Sequence, residues 1–186
     1  METEHLLIQL KSMEMIKGNH NMKKYYLIKM IYKGEIIYVI WYEDEEDGFI
    51  VKEQKLVLFH SIEKAKSFSE KEKIFLEKEI VPYDFTKVID TADHISNSED
   101  CRILFNTWNF FSDLARTLNE KFIGDLDEKQ ILKIYDKLFY GCNLEVINEG
   151  KEKYSPCFDD DERKKIILIL ENGLSILDRG DLRHAQ

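Results

Sequence analysis

The spacing of the apolar residues changes partway along this chain, and that change constrains the fold more than any other feature. From position 24 to about position 59, apolar side chains alternate with others, which is the spacing of β-strands. From about position 97 onward they recur every three or four residues, which is the spacing of α-helices. We therefore predict an α+β fold, in which an N-terminal antiparallel β-meander with a short helix is followed by a C-terminal three-helix region.

The meander is predicted over residues 22–96. Its first strand, which has alternating apolar residues, ends at a turn at residues 33–35. Residues 36–42 are apolar on both faces, which predicts a strand in the middle of a covered sheet. Residues 49–52 and 56–59 are predicted to form the next hairpin.

A short helix and an edge strand complete this half of the chain. Ser61 has the side chain of a helix N-cap, and Ala65 and Phe68 follow it at helical spacing. Residues 79–85 are predicted to be a strand, and Pro82 within them restricts that strand to an edge of the sheet.

Three long helices are predicted in residues 97–186, packed with the sheet as one unit. The first helix is predicted to start at Asn97 or Ser98, the second at a capping box of Asp127 with Gln130, and the third at the run from Asp159 to Glu162. The second helix is predicted to end at Gly141 and the third at Gly180. The predicted core residues of the three helices are Leu104, Trp108, Phe111, Ala115 and Leu118, then Ile131, Tyr135, Leu138 and Phe139, then Ile166, Ile167, Leu170, Leu174 and Leu177.

Residues 1–21 differ from the rest of the chain. They carry a weak helical pattern that ends at residues 18–21, and we predict that they form an N-terminal extension. Lys17 and Gly18 can be encoded by a purine-rich run that resembles a bacterial ribosome-binding sequence. We therefore hypothesise that natural translation starts at Met22.

The negative charge of the chain is concentrated in two short runs. Their nine acidic residues equal the whole net charge of −9, and they are Glu43, Asp44, Glu45, Glu46 and Asp47 in the first run and Asp159, Asp160, Asp161 and Glu162 in the second. Focused negative charge steers a basic partner toward the place where it lies. The simpler interpretation is that both runs are solvated turns.

The search for catalytic and metal-binding motifs is negative. The five histidines form no metal-ligand pair, and the chain has no glycine-rich phosphate loop or nucleophile motif. Residues 43–48 imitate the first half of a calcium loop, but Gln54 stands where a bidentate glutamate is required. We therefore predict no catalytic residues, no metal site and no cofactor. Lys and Arg form no cluster suited to phosphates, which disfavours nucleic acid as a partner.

The sequence predicts a cytoplasmic protein without a membrane segment. No apolar stretch reaches the roughly 18 residues that a membrane span needs, and the N-terminus lacks the pattern of a secretion signal. Three widely spaced cysteines, Cys101, Cys142 and Cys157, fit reduced thiols better than a disulfide framework.

Two aromatic residues do not follow the helical core pattern. Phe110 and Tyr140 lie beside the predicted core positions of their helices. Each is expected either to face another helix or to be an exposed contact for a partner protein.

Two parts of the sequence resemble a known family. The first part comprises residues 38–49, which contain the acidic turn, and residues 58–68, into which they lead. The second part comprises the aromatic stretches around Trp108 and Tyr135. Together they resemble the small acidic immunity proteins of bacterial polymorphic toxin systems, and most closely those of contact-dependent growth inhibition, including those paired with EndoU-type RNase toxins. The resemblance implies a cytosolic protein that binds the C-terminal domain of one cognate toxin and blocks its active site without turnover.

A toxin-binding surface is predicted from the charged and aromatic residues together. The candidate contacts are Tyr42, Glu43, Asp44, Glu45, Glu46, Asp47, Tyr140, Asp159, Asp160, Asp161 and Glu162. A nuclease is basic where it holds phosphates, so carboxylates can compete for that place. The alternatives are a regulatory or scaffold protein for a basic segment, a DNA mimic, and a hydrolase that uses paired carboxylates.

Overall fold

The computed structural model describes residues 23–145 and 152–180. The predicted extension at residues 1–21 and the hypothetical start at Met22 lie outside the described residues. In chain order, the elements are β1 Lys24–Tyr32, β2 Glu35–Glu43, β3 Gly48–Phe49, β4 Val51–Lys52, β5 Lys55–Leu56, α1 Ile62–Lys71, β6 Leu76–Asp84, α2 Val88–Asp93, α3 Ser98–Leu118, a 3₁₀ turn Ile123–Asp125, α4 Lys129–Gly141 and α5 Asp160–Arg179. The predicted α+β class is confirmed.

The main sheet has the strand order β3-β2-β1-β6. The first three strands pair antiparallel, which confirms the predicted meander. The fourth strand, β6, differs because it runs parallel to β1, so the complete sheet is mixed. A parallel partner needs a crossover connection, and α1 lies in the segment that returns the chain to this side of the sheet.

Strand β6 is an edge strand, as Pro82 predicts. The Phe85 N–H donates to the Ile31 carbonyl at 3.0 Å, so the alternate residues Val81 and Tyr83 also direct their backbone groups toward β1. Pro82 therefore has its ring nitrogen on the open side of the strand. The absent N–H removes no hydrogen bond from the ladder.

Tight turns of left-handed residues join the shorter strand pairs. Lys33 and Gly34, between β1 and β2, have φ of 49° and 81°, and Glu53 and Gln54, between β4 and β5, have φ of 54° and 62°. The second hairpin is shorter than the predicted pairing of residues 49–52 with 56–59. Phe59 is beyond it and instead forms an isolated bridge with Tyr38.

The N-caps of three helices are the predicted ones. The Ser61 side chain caps α1, Asn97 forms a capping box with Asp100 at the start of α3, and Asp159 caps α5. The predicted capping box at Asp127 is wrong, because α4 follows Glu128 and has no side-chain cap. Helix α2 was not predicted, because it has six residues and also lacks a side-chain cap.

The sheet carries a hydrophobic cluster on each of its faces. One face of the sheet packs with α2, α3, α4 and α5 in a single cluster that includes Trp108 and Phe111. The other face packs against α1 through Leu27, Ile40, Phe59 and Ala65. Helices α3 and α5 approach closely at Gly173, where a Cβ atom would overlap the Phe111 ring.

Candidate protein-binding surface

The two acidic runs lie toward opposite ends of α3. The first run joins β2 to β3 beside the C-terminal end of α3, where Arg116 Nη1 donates to the Asp47 carbonyl at 2.9 Å. The second run begins α5 beside the N-terminal end of α3, where Pro156 and Cys101 both lie against Gly141. With a rise of 1.5 Å per residue, these two places are separated by roughly 20 Å along the helix. The structure therefore does not bring the two runs into one site.

Glu43 of the first run is an internal residue. It is only 6 % exposed, the Tyr26 hydroxyl donates to its Oε2 at 3.1 Å, and Lys24 Nζ lies 3.9 Å from its Oε1. It follows Val39 and Trp41 on the buried face of β2. Its carboxylate therefore binds groups at the end of the sheet and has little area exposed to a partner, and the predicted partner contact of Glu43 stays a prediction.

The rest of the first run forms a locally bonded loop. Asp44 Oδ1 accepts the Glu45 N–H at 2.9 Å, and Asp47 Oδ1 accepts the Asp44 N–H at 3.3 Å. Asp44, Glu45 and Glu46 are exposed, and Asp47 is half-buried. This loop presents negative charge to solvent.

The aromatic neighbour of this loop, Tyr42, is covered by a lysine. Lys23 Nζ lies 3.3 Å from the centroid of the Tyr42 ring and 3.5 Å from Asp44 Oδ2. Burial, followed by the negative charge of Asp44, raises the pKa of the Tyr42 hydroxyl. The half-buried Tyr42 ring therefore offers a partner less apolar area than the sequence predicts.

A buried carboxylate beneath the loop holds it in place. Asp113 is 4 % exposed and accepts hydrogen bonds from Trp41 Nε1 at 3.1 Å and from Arg116 Nη2 at 3.3 Å. Because Arg116 also binds the Asp47 carbonyl, it links the loop to α3. Sequence analysis missed this role of Asp113 and Arg116.

Glu162 of the second run is also internal. It is 3 % exposed, and its carboxylate accepts hydrogen bonds from Lys137 Nζ at 2.6 Å and from Lys133 Nζ at 2.9 Å. Burial alone would raise the pKa of Glu162, but the two lysines and the Asp159 backbone outweigh burial and lower it to about 2. Glu162 therefore has little area exposed to a partner, whereas Asp159, Asp160 and Asp161 are exposed, and the partner contacts predicted for this run stay a prediction.

The two aromatic residues outside the helical core pattern, Phe110 and Tyr140, differ in solvent exposure. Phe110 is 4 % exposed and packs on Phe49, with ring centroids 4.9 Å apart. Tyr140 is 51 % exposed, so it is the one that a partner can reach. Its ring lies 6.4 Å, centroid to centroid, from the ring of Tyr154, which is itself 42 % exposed.

A polar clamp holds Tyr154 beside Tyr140. The Asn143 side chain accepts the Tyr154 N–H at 2.7 Å and donates to the Tyr154 carbonyl at 2.8 Å. Asn143 itself has a positive φ of 49° just after α4, which a side-chain amide tolerates better than most residues do. Tyr154 therefore has a defined backbone position, although nothing in its own sequence context predicts that.

Tyr140 and the second acidic run belong to one surface. Leu132, Asp136, Tyr140 and Tyr154 line a shallow groove on α4 together with Lys133 and Lys137, the two lysines that bind Glu162 at the start of α5. We call this region the α4 surface: Leu132, Asp136, Tyr140, Tyr154, Asp159, Asp160 and Asp161. It combines exposed apolar side chains with exposed carboxylates, a combination not found in the first acidic loop.

Metal-binding and membrane-spanning features were also sought in residues 23–145 and 152–180. No group of three or more His, Cys, Asp or Glu residues in these ranges is placed to hold a metal ion. None of the helices there is long and apolar enough to cross a membrane. Burial raises the pKa of the Cys101 thiol to about 11 and of the Cys142 thiol to about 12, so neither is a ready nucleophile.

Comparisons with known proteins give no match. No protein-family model fits the chain, and no curated protein or solved structure is significantly similar to it.

Proposed function

We propose that this protein is a non-catalytic inhibitor of the immunity-protein type, which binds a basic nuclease toxin domain, of the RNase kind, and blocks it. The observation that carries the proposal is the α4 surface. Its half-exposed Tyr140 and Tyr154 share a groove with Lys133 and Lys137, the two lysines that bind the last residue of the run Asp159–Glu162.

The composition of the α4 surface supports a protein partner. Interfaces between proteins commonly have an aromatic centre within a polar rim, and a few central residues, Tyr among them, supply much of the binding energy. Tyr140 and Tyr154 are placed to form such a centre. The exposed leucine of the groove, Leu132, extends its apolar area.

The charge of the α4 surface supports a basic partner. Its exposed acidic residues are Asp136, Asp159, Asp160 and Asp161. Of the three lysines that line the adjoining groove, Lys133 and Lys137 are engaged by Glu162, and exposed Lys129 is matched by exposed Asp127 in the same lining. A nuclease holds phosphates with Lys and Arg, so carboxylates placed there compete with its substrate. The first acidic loop adds long-range attraction, because the charge of Glu45 and Glu46 is exposed to solvent.

Co-expression tests this proposal directly. A toxin C-terminal domain found encoded beside the gene of this protein would be expressed with and without this protein, and growth and co-purification would be recorded. We expect growth to be rescued and a stable complex to be recovered. Absence of both rescue and binding would refute the immunity function.

A further inference from the structure

A separate cavity lies beside the open edge of β6. It has a volume of about 200 Å³ and is bounded by β6, α2 and α3. Its apolar walls come from Val81 and Tyr83 on β6, Val88 on α2 and Ile103 on α3. None of the residues that define the α4 surface lines it, so it is a second region with its own chemistry.

The charged side chains of the cavity are matched in sign. Arg102 and Glu99 form an ion pair along one turn of α3. Hydrogen bonds from Thr86 lower the pKa of the Asp84 carboxyl, and the positive charge of Lys87 lowers it further. With two acids and two bases in its lining, the cavity has no net charge. The side chains around it therefore favour a neutral ligand over a charged one.

A buried hydroxyl in the lining lacks a hydrogen-bond partner. Thr107 on α3 is only 2 % exposed, and its side chain forms no hydrogen bond within residues 23–145 and 152–180. Its oxygen nevertheless remains accessible to water, because the fully enclosed side-chain atoms without a partner in these ranges belong to Arg102 and Arg163 alone. A molecule in the cavity that Thr107 lines can therefore reach this hydroxyl.

The other threonines link this missing bond to the cavity. Outside the cavity, the Thr86 hydroxyl donates to the Asp84 carboxylate, and the Thr117 hydroxyl donates to the carbonyl four residues earlier in α3. Thr91 lines the cavity, and its hydroxyl, like that of Thr107, has no partner in the described part of the chain. A threonine in a helix can bond to the carbonyl one turn earlier, as Thr117 does. Thr91 and Thr107 instead keep their hydroxyl groups available to a ligand.

A side-chain amide supplies a further polar group. Asn106 precedes Thr107 on α3, lines the cavity and is half-buried. Its amide also has no hydrogen-bond partner among the described residues. Both an amide and a hydroxyl can donate and accept hydrogen bonds. The polar part of the lining therefore matches a neutral ligand group that does the same, such as a hydroxyl.

We propose that this cavity binds a small neutral alcohol or phenol whose apolar body is about the size of one aromatic ring. The body packs against Val81, Val88 and Ile103, and the ligand hydroxyl forms a hydrogen bond with the Thr107 hydroxyl. Folded proteins leave few buried polar groups unpaired, and this ligand pairs the one at Thr107. A cavity of about 150 Å³ holds benzene, so the volume is sufficient. This site is independent of toxin inhibition.

Titration with two probes of similar shape tests the proposal. Phenol, which is neutral near pH 7, is added to ¹⁵N-labelled full-length protein, and toluene is the matched probe without a polar group. We expect saturable shifts of the backbone amides in residues 81–107 with phenol. Toluene should bind about fivefold more weakly, because it cannot form a hydrogen bond with Thr107. Absence of saturable shifts with phenol, or equal affinity for both probes, would overturn the proposal.

Variants separate the hydroxyl from the shape of the cavity. Thr107→Val keeps the branched shape and removes the hydroxyl, so it should weaken phenol binding about fivefold and leave toluene binding unchanged. Thr117→Val is the matched control, since Thr117 lies on the same helix outside the cavity, and it should leave the affinity for phenol unchanged. Unchanged phenol affinity in Thr107→Val, or an equal loss in Thr117→Val, would refute the site. The comparison of phenol with toluene on the wild type stays decisive if Thr107→Val does not fold.

Discussion

The two acidic runs look alike in the sequence, yet they have different surroundings in the folded protein. In each run one carboxylate is buried and used internally: Glu43 accepts a bond from Tyr26, and Glu162 binds Lys133 and Lys137. The exposed remainder of the first run has only the half-buried, lysine-covered Tyr42 beside it. The second run is linked through Lys133 and Lys137 to a groove that contains two accessible tyrosines, Tyr140 and Tyr154.

This difference suits the two surfaces to different steps of binding, one to association and the other to the stability of the complex. Exposed carboxylates act over a distance and mainly change the rate of association. Exposed aromatic side chains act in contact and mainly change the rate of dissociation, because they lose water when a partner packs on them. The first loop is suited to the former role and the α4 surface to the latter.

The largest effect is expected when an exposed tyrosine of the α4 surface is removed. Tyr140→Ala should weaken toxin binding by about 2 kcal/mol or more, roughly thirtyfold, mainly through faster dissociation. Surface plasmon resonance measures both rates. Phe75→Ala is the control, because Phe75 is 88 % exposed but lies outside the α4 surface. Equal losses in the two variants would contradict the assignment of the interface.

The internal role of the second run is tested by stability. Glu162→Gln should lower the free energy of unfolding by about 2 kcal/mol, because it removes a buried carboxylate from two lysines. Urea denaturation measures the change. Asp161→Asn, one residue away and exposed, should leave the midpoint unchanged. If both variants were equally stable, the charge of Glu162 would have no structural role.

The interaction of Glu162 with Lys133 and Lys137 also makes the stability of the protein depend on pH in a defined direction. The pKa of Glu162 is about 2 in the folded protein and 4.5 in its ordinary range, so its stabilisation is complete above pH 4.5 and is lost as the pH falls toward 2. The difference in melting temperature between wild type and Glu162→Gln should therefore shrink over that interval. A difference that stays constant from pH 6 to pH 2 would show that folding does not lower the pKa of Glu162.

The smallest expected effect concerns the first loop. Reversing charge with Asp44→Lys and Glu46→Lys should slow association up to about tenfold and weaken its dependence on salt, with dissociation nearly unchanged. Stopped-flow mixing at two salt concentrations measures this. Glu70→Lys on α1 with Glu72→Lys at the C-cap of α1 changes the net charge equally and serves as the control. If both pairs slow association alike, only net charge matters and not the position of the loop.

Local patterns predicted most of the elements, because their signals lie within a few residues. Asn97, Asp159 and Ser61 were recognisable as caps from their own side chains and the apolar spacing that follows. The burial of Glu43 could have been predicted as well, since it continues the alternation of Val39 and Trp41.

Features that depend on distant partners could not be predicted. The parallel pairing of β6 with β1 joins segments about 50 residues apart, and nothing in residues 76–84 specifies direction. Glu162 lies four residues before the buried Ile166, which hints at an inward position, but its two lysines come from α4. The contact of Tyr154 with Tyr140 depends on Asn143, which only the folded chain places there.

The orientation of Pro82 also affects whether copies of this protein can associate through the edges of their sheets. A neighbouring copy that laid a strand against β6 would meet no donor at position 82, so the new ladder would be interrupted at its centre. Pro82 thus discourages open-ended stacking of copies through their sheets. Within the described residues, the open edge of β6 is thereby protected at its centre against fibre-like association.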